Sequence, residues 1–370
     1  MPRVAFNLAF IDGGPLTGPG YYAVQLFEQV VAAEKLNGSK YDVFAYVQAA
    51  AVSHLSDHAQ KSIRLLPSLR GRINRVLYEH LALPFVTRMH RVDLLFSPAF
   101  VSPIWGAKRM VATICDMYYQ VVPEATEPFQ RKYWTVMIPI TGYLCDRIIT
   151  ISGNSKKDIE AYIPSARGKT ISIPLASRFP VPAGVTKSKP YRPTVLMIAN
   201  LTPNKNCQIV VKAVAQLRRK GRDIAFVHAG KDHLGLLSQS VKDNHADAFV
   251  SSVGKVSDDD LIQLYQTSLA VIVPSLYEGF GMPAVEAQAM GAPLICSDRS
   301  ALPEAAGEGA IYFDPEDVDA LAAQIEKVID MPETARLAMI EAGYQNARSL
   351  SWEKTARETM AVFEELLSTK

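Results

Sequence analysis

The sequence predicts two α/β domains, each built as a doubly wound parallel sheet. Its 370 residues are too many for one ordinary hydrophobic core, so two domains are expected. Apolar runs of strand length alternate with amphipathic helical stretches in both halves, a pattern typical of buried parallel sheets. Between the halves, residues 174–193 contain five prolines, which predicts an extended interdomain linker.

The composition is that of a globular protein without membrane spans. Hydrophobic residues make up 48% of the chain and charged residues 21%, which argues against a disordered chain. No apolar run reaches the roughly 18 residues that a spanning helix needs. The N-terminal run "MPRVAFNLAF" predicts a first strand rather than a signal peptide. Four widely separated cysteines indicate reduced thiols, so we expect a cytoplasmic protein.

The predicted strands and helices follow one another along both halves. Helices are expected over 206–220, around 259–267 and from Pro283, and the last one from Trp352. In doubly wound sheets, ligands bind at the carboxyl ends of the strands, so two facing sheets would form a cleft. The predicted strands are "RVAFNLAF", "YDVFAYV", "VDLLFSPAF", "RMVATICDM" and "RIITIS", then "PTVLMIA", "IAFVHAG", "DAFVSSVG", "AVIVPS", "APLICSD" and "GAIYFD".

The stretch "SLYEGFGMPAVEAQAMG" (275–291) predicts a ligand site in the second half. A strand ends near Ser275 and a helix begins near Pro283, which suits a first helical turn. The glycines between them expose backbone N–H groups at the positive end of the helix, where anions bind. Glu278 and Glu286 flank this turn, and a carboxylate can accept hydrogen bonds from two neighbouring hydroxyls of a sugar. Either acid alone could equally be a helix-start residue that favours the dipole.

Two further strand-to-helix turns carry candidate residues. In "ANLTPNKN", Lys205 lies where a cation can meet a phosphate, although a single lysine could also be a solvated surface residue. In "DGGPLTGPGYYAV", four glycines follow the first strand and would let the backbone approach a phosphate. Their spacing does not match the dinucleotide-binding fingerprint, which disfavours a Rossmann-type dehydrogenase.

The two glutamates and their surroundings resemble the E-x7-E signature of retaining GT-B glycosyltransferases. The similarity is to family 4, which includes many bacterial mannosyltransferases, and it covers most of the second half. In the first half it is thinner and rests on "GPGYYAVQL", "ATICDMYYQVVPEA" and "RIITISGNSKKDI". The resemblance implies two Rossmann-like domains that face a cleft. The N-terminal domain, residues 1–180, would bind the acceptor, and the C-terminal domain, residues 190–350, would bind the nucleotide sugar. A C-terminal helix over 351–370 would cross back and pack toward the first domain.

The resemblance also implies roles for residues in the second domain. Glu278 would contact the hydroxyls of the donor sugar, and Glu286 would bind the nucleotide ribose. Lys205 would stabilise the leaving diphosphate, assisted by Asn200, which is a weaker variant of the family's usual residue there. The backbone of Gly279, Phe280, Gly281 and Met282 would lie near the sugar and the diphosphate.

In the first domain, the resemblance implies a loop beneath the donor diphosphate, which contains Gly18 and Gly20. Asp116 would contact the acceptor. Cys115 stands where the family usually has a histidine beside the reacting sugar, and this departure leaves open whether the site differs. A buried cysteine at a strand end is usually a small apolar residue, so Cys115 is not expected to be a nucleophile.

The function implied is transfer of a hexose with retention of anomeric configuration. Mannose from GDP-mannose is the first choice, moved onto a glycan or lipid-linked saccharide in bacterial surface polysaccharide synthesis. A donor such as UDP-glucose is the alternative, and a non-catalytic glycosyltransferase-like subunit is another. No cofactor is expected beyond the nucleotide sugar as co-substrate, and no metal, since the Asp258 and Asp260 pattern suits a helix start.

Charge is distributed unevenly and predicts an anionic partner for the first half. Residues 1–190 carry 22 Lys and Arg against 13 Asp and Glu, a net +9, while residues 191–370 carry a net −7. Residues 64–91 are basic and amphipathic, so they could lie on an anionic membrane or pack as an ordinary helix. If this segment binds a membrane, we expect the protein to lie on the inner face of the plasma membrane. Nucleic acid is not expected, because no recognised binding module is present.

Overall fold

The computed structural model describes residues 1–36, 38–69, 71–123, 126–182 and 192–368. The chain divides into two compact units, each of which is α/β with a parallel sheet, so the predicted fold class is confirmed. The first unit comprises Met1–Tyr119, Thr126–Leu175 and Trp352–Lys370, and the second comprises Gln120–Ala125 and Ala176–Ser351. No helix in the described ranges combines the length and apolarity needed to cross a bilayer.

The first unit contains a seven-stranded sheet in the order β3-β2-β1-β4-β5-β6-β7, in which every pair is parallel. The strands are β1 (Arg3–Asn7), β2 (Asp42–Gln48), β3 (Ile63–Leu66), β4 (Leu94–Ser97), β5 (Arg109–Thr113), β6 (Arg147–Thr150) and β7 (Thr170–Ser172). Its helices are α1 (Gly18–Leu36), α2 (Arg72–Leu77), α3 (Leu83–Met89), α4 (Tyr118–Val121, at the division), α5 (Pro128–Leu144), α6 (Gly153–Tyr162) and α14 (Trp352–Ser368).

Aromatic rings tie the C-terminal helix α14 into the core of the first unit. Phe363 is fully buried, and its ring centroid lies 5.2 Å from that of Phe96 and 6.1 Å from that of Phe6. Trp352 packs edge-on against Tyr21 of α1 at 5.9 Å. The buried face of α14, which includes Trp352, Ala356 and Phe363, therefore completes the core built by β1, β4 and α1.

The second unit contains a six-stranded parallel sheet in the order β10-β9-β8-β11-β12-β13. Its central strand β11 is buried along its whole length, as its continuous apolar run predicts. The strands are β8 (Arg192–Ile198), β9 (Ala225–Ala229), β10 (Val250–Gly254), β11 (Ser268–Val273), β12 (Leu294–Ser297) and β13 (Ile311–Phe313). The helices are α7 (Cys207–Arg219), α8 (Leu236–Asp243), α9 (Asp258–Thr267), α10 (Met282–Ala289), α11 (Leu302–Ala306), α12 (Val318–Ile329) and α13 (Glu333–Ser349).

The predicted linker differs from the structure in its first part. Ala176, Ser177 and Phe179 are buried, because this segment packs within the second unit, and Phe179 meets Tyr265 at a ring distance of 6.2 Å. Proline content indicated an extended segment, but it carried no information on burial. The part of the linker over 183–191 lies outside the described residues.

Two helix starts are capped by serine side chains. Ser257 Oγ accepts a hydrogen bond from Asp260 N at 3.1 Å and caps α9, and Asp258 and Asp260 lie in the first turn of that helix, where acids complement the dipole. Ser152 Oγ accepts from Ser155 N at 2.9 Å and caps α6.

Candidate functional site

Lys205 and Glu278 form an ion pair in the second unit, at the carboxyl ends of β8 and β11. Lys205 Nζ donates to Glu278 Oε1 at 2.6 Å, and Ser275 Oγ donates to the same oxygen at 2.7 Å. The lysine side chain is 23% exposed and the glutamate 13%. The pair is therefore partly shielded from water but still accessible, as a group that contacts a ligand must be.

Hydrogen bonds between two turns place this pair. A 3₁₀ turn over Pro203–Lys205 follows β8, and the loop 274–281 follows β11. Asn204 Nδ2 donates to Tyr277 O at 3.0 Å, and Leu276 N donates to Asn204 O at 2.8 Å. Because these bonds join the loops directly, Lys205 meets Glu278 although 73 positions separate them in the sequence.

Ser300 fixes the backbone of Glu278. Glu278 N donates to Ser300 Oγ at 2.9 Å, and Ser300 Oγ lies 3.2 Å from Glu278 O, to which it donates. Ser300 itself has φ 52°, an uncommon conformation for a residue other than glycine. This strained serine holds the turn before α10, and backbone strain of this kind gathers at functional sites.

Gly281 is required at the start of α10. Its φ is 105°, and a Cβ atom there would lie 2.5 Å from Leu302 Cδ2. Phe280 is 3% exposed and anchors the turn in the core, so Gly279 to Met282 can present only backbone groups and the edge of Met282 to a ligand. The N-terminus of α10 supplies partial positive charge at this turn.

Glu286 lies inside the protein, where two side chains bind its carboxylate. The residue is 2% exposed. Arg178 Nε donates to Oε1 at 2.6 Å and Nη2 donates to Oε2 at 3.2 Å, while Tyr265 Oη donates to Oε2 at 2.9 Å. Burial opposes the charge of Arg178, but the hydrogen bonds and the negative charge of Glu286 prevail, so the pKa of the guanidinium is raised. Burial, followed by the charge of Glu286, raises the pKa of Tyr265 well above its usual value.

Asn200 makes a structural hydrogen bond rather than one to Lys205 or Glu278. Its Oδ1 accepts from Lys231 N at 3.1 Å, which joins the turns after β8 and β9. The neighbouring backbone is crowded, since a Cβ atom on Gly230 would lie 1.9 Å from Ala199 O. Of the two predicted residues of this turn, Lys205 is therefore the one that places a side chain against Glu278.

The predicted residues of the first unit lie at the carboxyl ends of β1 and β5. Gly18 begins α1, and Gly20 lines a cavity of about 370 Å³. Asp116 Oδ1 accepts from Tyr118 N at 2.9 Å, a bond within the turn that precedes α4. Cys115 is 5% exposed, and burial, then the charge of Asp116, raises the pKa of its thiol, which disfavours a nucleophilic thiolate.

The sequence analysis did not find several residues that shape these sites. Ser275 precedes Glu278 by three positions and lies just after β11, so its role could have been recognised from the local sequence. Arg178, Tyr265 and Ser300 are 108, 21 and 22 positions from the glutamates they contact, and no pattern connects them.

Two parallel Rossmann-like sheets are the architecture that this chain shares with solved structures of GT-B glycosyltransferases. Residues 184–346 match the family described as glycosyl transferases group 1. The chain is therefore similar to group 1 glycosyl transferases over most of its second half, and to a bacterial mannosyltransferase over most of its length.

Three relatives illustrate this similarity. "O-antigen chain mannosyltransferase B" of Escherichia coli is 26% identical over 374 aligned positions, which cover 94% of this chain and 96% of the relative. A glycosyltransferase from Rickettsia africae has the same fold with a TM-score of 0.72, 16% identity and coverage of 100% and 99%. Anabaena Alr3699/HepE, solved in complex with UDP and glucose, superposes with a TM-score of 0.68, 16% identity and coverage of 99% and 100%.

Proposed function

We propose that the chain transfers a hexose from a nucleotide sugar to a saccharide hydroxyl, with retention at the anomeric carbon and without a metal. Mannose from GDP-mannose is the donor that we favour, and the product would enter surface polysaccharide synthesis. The observation that carries the proposal is the Lys205–Glu278 pair, 2.6 Å apart at the N-terminal side of α10. It combines a cation for a leaving phosphate with a carboxylate for sugar hydroxyls.

The chemistry divides between these groups. The bond from the anomeric carbon to the diphosphate oxygen breaks, the acceptor oxygen bonds to that carbon, and the acceptor proton passes to the departing phosphate. This front-face route needs no protein nucleophile. Lys205 and the N–H groups before α10 would stabilise the charge that develops on the diphosphate. Glu278, oriented by Ser275 and Ser300, would hold the sugar for attack.

The nucleotide would be held by Glu286, through hydrogen bonds from the ribose hydroxyls. A carboxylate has about four acceptor positions, and Arg178 and Tyr265 use three of those on Glu286. Ribose binding therefore requires the remaining position or a shift of Arg178. Asn200, Gly18, Gly20 and Asp116 stay predicted contacts of donor or acceptor.

Nucleotide preference tests this proposal directly. Similarity to a mannosyltransferase supports a mannose donor, for which we favour GDP-mannose, while the Anabaena relative solved with UDP and glucose supports a UDP-sugar as the second candidate. Thermal unfolding of the full chain in GDP, UDP and ADP should show the largest rise in Tm with GDP, because a ligand stabilises the state that binds it. Turnover of GDP-mannose, followed as GDP release, then tests transfer. A chain that responds to none of the three nucleotides would contradict the proposal and favour the non-catalytic subunit.

We also propose that the first unit associates peripherally with an anionic membrane. The apolar side chains Ile73, Leu77, Leu81 and Phe85 recur every fourth residue and are 50–64% exposed, which places them on one side of the segment 72–89. Arg72, Arg75, Arg88 and Arg91 are the arginines of the same region, and charges of this sign attract acidic headgroups. Arg70, part of the predicted basic segment, lies outside the described residues.

A further inference from the structure

A cavity of about 780 Å³ lies at the amino ends of three strands of the first sheet. Arg3 begins β1, Asp93 directly precedes β4 and Lys108 directly precedes β5, and all three line it. Arg88 and Arg91 line it from the end of α3. The residues predicted for sugar transfer lie at the carboxyl ends of the strands, so this cavity is at the opposite edge of the sheet.

The lining of this cavity has more cations than acids. Its one carboxylate, that of Asp93, accepts from Lys108 Nζ at 3.0 Å and from Arg3 N at 3.0 Å. Arg88 and Arg91 are exposed and form no ion pair with any residue in the described ranges. Two guanidinium groups are therefore left without a compensating negative charge in a concave part of the surface.

Arg91 occupies a backbone position that usually belongs to glycine. Helix α3 ends with paired hydrogen bonds, from Arg91 N to Arg88 O at 3.0 Å and from Val92 N to Thr87 O at 3.0 Å. This motif gives the residue after the helix cap a left-handed backbone, here with φ 51°. The conformation disfavours L side chains, and glycine adopts it freely. Helix termination therefore does not explain an arginine here, whereas binding of a ligand by its guanidinium would.

The loop that contains Trp105 is fixed against α3. Gly106 has φ 137°, and a Cβ atom there would lie 2.6 Å from Thr87 Oγ1. Thr87 Oγ1 donates to Gly106 O at 2.9 Å, and Trp105 packs edge-on against Phe85 with ring centroids 4.8 Å apart. This wall of the cavity is thus formed before any ligand binds, which reduces the ordering that binding requires.

Uncompensated guanidinium groups indicate the class of ligand. Their planar donors match the oxygens of carboxylates and phosphates. A phosphate ester presents more acceptor oxygens than a carboxylate, so it can accept from Arg88, Arg91 and the remaining donors of Lys108 together. Phe85 and Met89, on α3 beside Arg88, are 64% and 72% exposed, so the cavity has an apolar border as well.

From this arrangement we infer that the cavity binds a phosphate ester, whose phosphate is held by Arg88, Arg91 and Lys108. The ester is either the headgroup of an acidic lipid or a small soluble molecule, and Met89 would contact only the lipid. This site goes beyond the proposed function. Transfer takes place at the carboxyl ends of the strands, and association of the segment 72–89 with a membrane requires no cavity for a single headgroup.

Titration of the full chain with single phosphate esters tests the inference, with isothermal calorimetry as the readout. The ligands are glycerol phosphate and dihexanoyl phosphatidylglycerol, the latter below its micelle concentration, and glycerol is the uncharged control. At least one ester should bind saturably, and glycerol should not bind. Arg91→Gly should weaken binding about tenfold or more, because a hydrogen bond from a charged group is lost. The same variant should not lower Tm, because glycine suits this backbone.

Further variants locate the site and distinguish the two sources of phosphate. Arg88→Gln should also weaken binding, whereas Arg357→Gln, at an exposed arginine of α14 in the same unit, is the matched control and should bind as the wild type does. For a lipid, dihexanoyl phosphatidylglycerol should bind more tightly than glycerol phosphate, and Met89→Ser should remove the difference. For a soluble ester, the two ligands should bind equally in the wild type and in Met89→Ser.

The inference is wrong if neither ester binds saturably, or if Arg88→Gln and Arg91→Gly both bind as the wild type does. It is also wrong if Arg357→Gln weakens binding as much as Arg91→Gly, since net charge rather than a site then attracts the ligand. Circular dichroism establishes that each variant is folded, and Arg91→Asn, which also suits a left-handed backbone, replaces Arg91→Gly if that variant is not. Failure of the proposed function is seen separately, as the absence of any nucleotide-dependent rise in Tm.

Discussion

Arg178 Nε lies 2.6 Å from Glu286 Oε1, and the fork of its guanidinium reaches both oxygens of that buried carboxylate. Such bidentate pairs fix geometry as well as supplying energy. Arg178 lies in the segment 174–193, which the sequence predicts to be a linker. The interaction joins this segment to Glu286 within the second unit. It also holds a carboxylate, predicted to bind ribose, in one orientation before any nucleotide arrives.

Arg178→Ala should destabilise the second unit, because it leaves Glu286 as a buried charge that still accepts a hydrogen bond from Tyr265 but has lost its cationic partner. Removing one partner of a buried pair costs about 3 kcal/mol, so thermal unfolding should show a clear fall in Tm. Arg178→Lys should keep only part of the Tm that Arg178→Ala loses, since an ammonium group cannot form two parallel hydrogen bonds to the carboxylate.

The matched control is Arg222→Ala, whose ion pairs with Glu326 and Asp330 are at the surface. Surface pairs contribute about 0–1 kcal/mol, so that variant should unfold near the wild-type temperature. Equal Tm values for the Arg178 and Arg222 variants would show that the buried pair has no special role in stability.

The catalytic proposal predicts a different result for Lys205 and Glu278. Lys205→Ala should raise the KM for the donor and lower kcat about 100-fold, since one charge-stabilising group of the transition state is lost. Glu278→Gln should keep the bond from Ser275 and still lose most transfer activity. The measurement is GDP release and product formation from GDP-mannose.

Lys212→Ala provides the control for charge, since Lys212 is exposed on α7 in the same unit. Its kinetics should match those of the wild type. Full activity in Glu278→Gln, with intact folding, would remove Glu278 from the site. A double variant of Lys205 and Glu278 that is no less active than either single variant would show that the two act together.

The two glycines predicted for the donor site should differ in tolerance. Gly281→Ala places a Cβ at φ 105° and 2.5 Å from Leu302 Cδ2, so we expect a folding defect of at least about 1–3 kcal/mol. At Gly18 a Cβ would meet nothing within 4 Å, so Gly18→Ala should leave Tm unchanged. Thermal unfolding decides the comparison, and a Gly281→Ala variant as stable as Gly18→Ala would contradict it.

The sequence predicts the sheets well, because buried parallel strands leave continuous apolar runs. All six strands of the second unit were anticipated, and α7 begins and ends within one residue of its predicted bounds. In the first unit, β3 and β7 were missed. They are short edge strands of four and three residues, and β3 is only partly buried, so neither leaves a long apolar run.

The candidate sites were predictable only where they are local. Glu278 and the glycine turn lie within one short stretch, so spacing along the chain reflects spacing in the fold. Arg178, Ser300 and Phe100 depend on tertiary contacts or on an unusual φ, and neither is encoded in periodicity. Phe100, for example, is an ordinary apolar residue in the sequence, and its left-handed backbone, with φ 57°, is visible only in the structure.

Membrane association should depend first on the exposed leucines of the segment 72–89. Leu77 and Leu81 are 50% and 61% exposed, and burying an exposed leucine in a bilayer interface is worth up to about 1.5 kcal/mol. Leu77→Ser and Leu81→Ser should therefore each weaken binding to vesicles of anionic lipid about fivefold or more, measured by co-sedimentation. Leu234→Ser, at a residue 59% exposed in the second unit, is the matched control and should bind as the wild type does.

Salt should distinguish the electrostatic part of this binding from the apolar part. Arg88→Gln with Arg91→Gln removes two charges, each worth about 1 kcal/mol near an anionic surface, so binding should fall and depend less on ionic strength. The leucine variants should retain the wild-type salt dependence, because they keep every charge. Binding to neutral vesicles as strong as to anionic ones would exclude the electrostatic part. Loss of binding in Leu234→Ser equal to that in Leu81→Ser would show that the segment 72–89 is not the membrane-contacting surface.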